Sequence, residues 1–131
     1  MLGKFLRKLR QDDSRPDVDA AAADIDTTGW GPIIAVLPGR LQPGEQVLRL
    51  GNGTAPADGK ACLAILTSDR FAVVVKAGGF QAVSHAEITD VAWDPAEGLA
   101  VTAAATVLEV RMPADQGEAM AVALRQRLPR G

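Results

Sequence analysis

Two apolar runs joined by a short polar corner constrain this chain more than any other feature. Residues 61–66 and 71–75 are each of strand length, and only Thr67-Ser68-Asp69-Arg70 separates them. A parallel crossover needs a dozen or more residues, so a corner this short permits only a tight antiparallel hairpin. The sequence therefore predicts antiparallel β-sheet at the centre of the chain.

The chain after residue 45 repeats this pattern of short apolar runs between turn residues. We predict strands over residues 46–51, 60–67, 70–76, 80–85, 88–93, 99–102 and 106–112. Ile88 is out of step with the alternation that follows it, which predicts a β-bulge near Thr89. An amphipathic helix is predicted over residues 116–128, where Asp115 and Glu118 have the spacing of a capping box. Seven antiparallel strands followed by a helix predict a β-barrel closed by a C-terminal α-helix.

The predicted interior of this barrel is aliphatic, because aromatic residues are scarce. The helix residues expected to face it are Met120, Leu124 and Leu128. The strand residues expected beside them are Leu63, Ile65, Val73, Val75, Val91, Trp93, Leu108 and Val110. Cys62 is the only cysteine, which excludes an intramolecular disulfide, and its place in an apolar strand predicts a buried thiol.

Length and charge limit the class of protein. A chain of 131 residues makes one domain with a short appendage. A net charge of −2 argues against nucleic acid as the main partner. No apolar run approaches the length of a membrane-spanning helix, and residues 1–10 lack the continuous apolar stretch of a secretory signal. We expect a cytoplasmic protein, with a peripheral position at the inner face of the membrane as the alternative.

Charge and composition divide the chain into three parts. Residues 1–15 carry five basic and two acidic groups, a net charge of +3, whereas residues 16–29 carry four aspartates and no base. We predict a basic amphipathic helix over residues 1–15, an acidic and apolar linker with short helices over residues 16–40, and the β domain over residues 41–131. Residues 17–26 are either a short exposed helix or a loose linker.

The β domain resembles the bacterial pleckstrin-homology-like (PH-like) family. The resemblance rests on Gly44-Glu45 before the first strand, Leu66-Thr67-x-x-Arg70 at the corner, Ile88-Thr89-Asp90-Val91 in the fifth strand, and a helix after seven strands. It implies a seven-stranded antiparallel PH-like barrel with a capping helix. Eukaryotic PH relatives that bind phosphoinositides carry several cations on the first loop, but here residues 52–60 offer only Lys60 and contain Asp58.

The residues that carry catalytic chemistry are sparse. His85 is the only histidine, which excludes a two-histidine metal site, and its position beside Glu87 predicts a surface turn residue. Asp90 and Asp94 share a strand face, either as a solvated face or as a cation site. No phosphate-binding loop, nucleophile elbow or Ser/His/Asp order is present. We therefore predict no enzyme, no catalytic residue, no metal site and no cofactor.

Two groups of residues are candidate binding sites. The first is the N-terminal amphipathic helix, with an apolar face and a basic face formed by Leu2, Lys4, Phe5, Leu6, Arg7, Lys8 and Leu9. It either lies in an anionic membrane surface or packs on this protein's own domain or on a second copy. The second group comprises candidate residues for an anionic ligand near one rim, namely Arg49, Lys60, Arg70 and Lys76. Arg70 is also placed to bond carbonyls of the corner.

These patterns predict a non-catalytic PH-like interaction module. The expected partner is a protein, either another chain or a second copy. The alternative is a peripheral membrane adaptor that binds anionic phospholipid through the N-terminal helix. Nucleic acid is not an expected partner.

Overall fold

A computed structural model describes residues 16–76 and 79–128 of the chain. In chain order, the elements of this part are α1 (Pro16–Ala22), α2 (Gly31–Val36), a 3₁₀ helix (Leu37–Arg40), β1 (Val47–Thr54), β2 (Ala61–Thr67), β3 (Arg70–Val75), β4 (Phe80–Ser84), a 3₁₀ turn (His85–Glu87), β5 (Ile88–Asp94), β6 (Gly98–Ala103), β7 (Thr106–Val110) and α3 (Ala114–Arg127). The seven predicted strands and the C-terminal helix are confirmed, with each boundary within three residues of its prediction.

The strands form two antiparallel sheets. The first has the order β1-β2-β3-β4 and the second has the order β5-β6-β7. The predicted hairpin is confirmed, because Leu66 pairs with Phe71 across the β2–β3 corner. The predicted bulge is confirmed as well, since the register of β5 shifts between Ile88 and Asp90.

The two sheets are not closed into a barrel, so the predicted barrel is wrong. On one side a single bridge joins β1 to the end of the second sheet, with N···O distances of 2.9 Å in both directions between Thr54 and Arg111. This bridge cannot grow into a ladder, because the chain turns at Pro113 into α3. On the other side the 3₁₀ turn separates β4 from β5, and no ladder joins those two strands in the described residues.

The inner core lies between the two sheets and is covered by α3. Met120 and Leu124 of α3 are buried there, as predicted, and Leu128 packs against the same cluster. Gly117 lets the helix approach the second sheet, because a Cβ at this position would overlap the indole of Trp93. The predicted capping box is absent, since α3 begins after Pro113 and has no side-chain cap.

A second core covers the outer face of the first sheet. Leu63 and Ile65 lie in this outer core rather than in the inner one, so their predicted placement is wrong. The inner face of β2 carries Cys62, Ala64 and Leu66 instead. A strand that is apolar on both faces is buried on both faces. The alternation of its side chains therefore cannot show which face points to the inner core.

The segment over residues 16–40, predicted as a linker, supplies the cover of this outer core. Val18 is 3 % exposed and Trp30 is 5 % exposed, and both belong to the outer cluster together with Leu37. Helix α1 is therefore neither a fully exposed helix nor a loose linker. The first sheet is consequently sandwiched between the short N-terminal helices and the second sheet.

Candidate functional site

The corner between β2 and β3 contains a buried ion pair. Glu45 is 1 % exposed and receives two hydrogen bonds from the Arg70 guanidinium, at 2.8 Å to Oε1 and 3.0 Å to Oε2. Thr67 Oγ1 donates to Oε2 at 2.5 Å, and the backbone N–H of Gln42 donates to Oε1 at 2.8 Å. Arg70 also donates to the carbonyl oxygen of Arg40 at 2.9 Å. This corner network ties the chain before β1 to the hairpin.

The corner network keeps both of its charges. Burial by itself raises the pKa of Glu45, but the hydrogen bonds from Arg70, Thr67 and Gln42 outweigh it and lower the pKa to about 2. The hydrogen bond to Glu45 raises the pKa of Arg70. Because Arg70 is neutralised by a bidentate carboxylate, it has little charge to offer an external anion.

His85 supports the same corner from the other side. Its side chain is 7 % exposed, so the predicted surface position is wrong. The ring Nε2–H donates to the carbonyl oxygen of Thr67 at 2.7 Å, which places the proton on Nε2 because a carbonyl only accepts. Ring Nδ1 is buried and has no hydrogen-bond partner in the described residues. This environment fits a packing role for His85.

The structure does not bring the four candidate anion-binding cations together. Arg70 is the first residue of β3, and Lys76 follows its last residue, so the two lie at opposite ends of the strand. Lys60 lies in the loop before β2, at the same end as Lys76. Arg49 lies on β1, in a cleft that Asp24 also lines. Lys60 and Lys76 lie at one end of the first sheet, whereas Arg49 and Arg70 lie toward the other end, on strands that are not adjacent.

A groove that sequence reasoning did not predict lies between α2 and the edge of the first sheet. Its volume is about 110 Å³, and the lining side chains are Ile33, Val36, Leu37, Arg40, Val74, Val75, Lys76 and Phe80. We call it the α2–β4 groove. The Arg40 guanidinium lies 5.1 Å from the centre of the Phe80 ring, and Lys76 Nζ lies 5.5 Å from the centre of the Trp30 ring. The groove is therefore apolar inside and cationic at its margin.

Two other clefts are lined partly by charged side chains. The Arg49 cleft, of about 330 Å³, is lined by Asp24 and Asp115, so the arginine lies among carboxylates rather than in a site for an anion. The second cleft, of about 440 Å³, lies beside Trp93 and is lined by Asp94, Glu97 and Glu109. Asp94 Oδ1 accepts the backbone N–H of Ala96 at 2.7 Å, so this carboxylate stabilises the turn between β5 and β6.

Metal-ligating side chains do not cluster in residues 16–76 and 79–128, which contain no group of His, Cys, Asp or Glu that could hold a metal ion. Cys62 is buried as predicted, and burial raises the pKa of its thiol to about 11. None of the helices in this part is long and apolar enough to cross a membrane.

The candidate contact residues of the predicted N-terminal helix lie outside the described residues, which begin at Pro16. Comparison of the chain with protein-family models, with curated proteins and with solved structures finds no match. The residues that carry the resemblance at the corner, Glu45, Thr67 and Arg70, meet in one network, whereas the residues of the α2–β4 groove come from separate segments.

Proposed function

We propose that the chain is a non-catalytic PH-like interaction module that pairs with a protein partner along the edge of β4. The PH-like assignment is supported by four strands, then three strands, then one helix, and by the corner network that joins the motif residues Glu45, Thr67 and Arg70. A fold alone does not define a function. The function rests on the edge of β4 that no strand pairs with in residues 16–76 and 79–128.

The backbone of β4 offers hydrogen bonds to a partner. At one end of β4, the carbonyl oxygen of Gly79 accepts the N–H of Val75 at 2.8 Å. At the other end, the N–H of His85 donates to the carbonyl oxygen of Asp69 at 3.0 Å. Because bonding residues alternate in an antiparallel ladder, the odd-numbered residues between them face β3. The N–H and C=O groups of Phe80, Ala82 and Ser84 therefore point to the free side. An added strand would satisfy these groups.

The opposite edge of the first sheet is already occupied. Asp17 accepts the backbone N–H of Val47 at 2.6 Å, and Gln116 Oε1 accepts the backbone N–H of Asn52 at 2.8 Å. The far end of β1 is bridged at Thr54 by the end of the second sheet. A partner strand therefore has no free run of backbone along β1.

The outer strands of the second sheet are protected by charge and by α3. Asp90 and Asp94 lie on β5, and Arg125 of α3 donates to the carbonyl oxygen of Val91 at 3.2 Å. Glu109 lies on β7. Charged side chains are a common protection of edge strands, yet β4 reads Phe-Gln-Ala-Val-Ser and has no charge and no proline. Its uncharged free edge is the observation that carries the proposal.

Light scattering after size-exclusion chromatography tests the version in which the partner is a second copy. Gln81→Lys places a charge on the edge strand, and in an antiparallel pair of β4 strands the two lysines lie near each other. If the partner is a second copy, the protein forms a concentration-dependent dimer that Gln81→Lys weakens. Gln126→Lys, on the exposed face of α3, makes the same chemical change away from the edge and leaves the dimer intact.

A strict monomer at millimolar concentration rules out self-association through β4. The partner is then another chain, and its strand must bind the monomer at the same edge. If no partner strand binds and no dimer forms, the proposed function is wrong.

A further inference from the structure

We propose that the α2–β4 groove binds an apolar side chain of the partner strand and that Arg40 and Lys76 bind carboxylates beside it. This inference rests on the proposed function, because the groove receives a side chain from the strand that pairs with β4. Phe80 connects the two surfaces: its ring lines the groove, and its backbone faces the free side of β4. The ligand class is thus an extended peptide with an aliphatic or aromatic anchor and neighbouring acidic residues.

The size and exposure of the groove suit one anchor. At about 110 Å³ the groove is smaller than the two other clefts, of about 330 and 440 Å³, so it suits a single side chain rather than a large ligand. Val36 is 58 % exposed, the highest value among the exposed large apolar side chains of the described residues. Burial of this valine against an anchor removes apolar surface from water.

The charges at the groove margin lack an acidic counterpart in the described residues. No carboxylate lies within 4.0 Å of the side-chain nitrogens of Arg40 or Lys76 there, and no acidic residue lines the groove. Their stacking on Phe80 and Trp30 holds the two cations in place, and neither side chain forms an ion pair with another described residue. Two ordered cations beside an apolar groove are complementary to an acidic peptide.

The same charges argue against the other occupants. Residues 1–15 supply apolar side chains but carry a net charge of +3, which Arg40 and Lys76 repel. A second copy that pairs through its own β4 brings no carboxylate in that strand. An acidic segment of another protein is the occupant that satisfies both the apolar surface and the charge.

Selection from a phage library of random dodecapeptides on the immobilised full-length protein tests this inference. We expect selected peptides to place Asp or Glu beside Leu, Ile, Val or Phe. Double charge reversal with Arg40→Glu and Lys76→Glu should weaken the selected peptides about tenfold, the sum of two exposed ion pairs. The matched control, Arg111→Glu with Arg127→Glu, makes the same change in net charge on exposed residues and should leave affinity within about twofold.

The other outcomes separate the two proposals. The groove inference is wrong if the selected peptides lack acidic residues, or if they bind both double variants equally. If Gln81→Lys still abolishes their binding in that case, the edge-pairing module stands. If no peptide is selected and the protein is a monomer, both proposals are wrong. If deletion of residues 1–15 is required before any peptide binds, the groove holds the chain's own N-terminal segment and the inference is wrong.

Discussion

Replacement of Glu45 by Gln tests whether the corner network stabilises the fold as its geometry indicates. Glu45 is buried, and its pKa lies at about 2 in the folded protein against an ordinary value of 4.5. A difference of about 2.5 units corresponds to roughly 3 kcal/mol of folding free energy at neutral pH. Breaking a buried ion pair costs about 3–5 kcal/mol, and the lower end applies because Arg70 is 20 % exposed. We expect Glu45→Gln to destabilise the protein by about 3 kcal/mol at pH 7.

The sign of the pH dependence follows from the lowered pKa. Glu45 is more acidic in the folded state, so its contribution is complete above pH 4.5 and is lost as the pH falls toward 2. About 2 kcal/mol of it is already lost at pH 3. The difference in unfolding free energy between wild type and Glu45→Gln should therefore shrink from about 3 to about 1 kcal/mol between pH 7 and pH 3.

Urea denaturation at both pH values, followed by tryptophan fluorescence, measures this difference. Glu109→Gln is the matched control, since Glu109 is exposed on β7, and it should change stability by less than about 0.5 kcal/mol. A constant difference between wild type and Glu45→Gln at pH 7 and pH 3 would refute the reasoning, because the variant would then act without removing a titrating charge.

Three further predictions concern α3 and the N-terminal segment. Leu124→Ala removes a fully buried side chain of α3 and should destabilise the domain by about 2–5 kcal/mol in chemical denaturation; a loss below 1 kcal/mol would contradict the covered core. Gly117→Ala should cost about 1–3 kcal/mol and shift the emission of Trp93, because the added methyl meets the indole; unchanged emission would contradict that contact. For the membrane alternative, deletion of residues 1–11 should abolish sedimentation with anionic vesicles and leave circular dichroism unchanged; retained sedimentation would eliminate this alternative.

Features carried by local sequence patterns were predictable. The β2–β3 hairpin and the bulge near Thr89 depend on residues a few positions apart, and both are confirmed. The faces of β2 were not predictable, because Leu63 and Cys62 are equally suited to a core and the choice depends on what packs on each side. Closure of a barrel depends on distant strand ends, which no local pattern encodes.

The candidate site depended even more on long-range packing. The α2–β4 groove forms because residues 16–40 cover the outer face of the first sheet, which brings Arg40 beside Phe80. The composition of residues 16–40 predicted a linker with short helices, but no spacing in the sequence indicated which strand these helices meet. His85 is buried through a contact with Thr67, 18 residues away, and a turn of three residues has no periodicity to reveal it.

Amide hydrogen exchange of the full-length protein, with and without a selected acidic peptide, tests the central claim most directly. Pairing along β4 should slow exchange at Phe80, Ala82 and Ser84, whose N–H groups face the free side, by about tenfold or more at saturation. Gln81 and Val83, which already bond to β3, should exchange as before. Protection confined to other strands, or equal protection of all five β4 amides, would contradict partner binding at this edge.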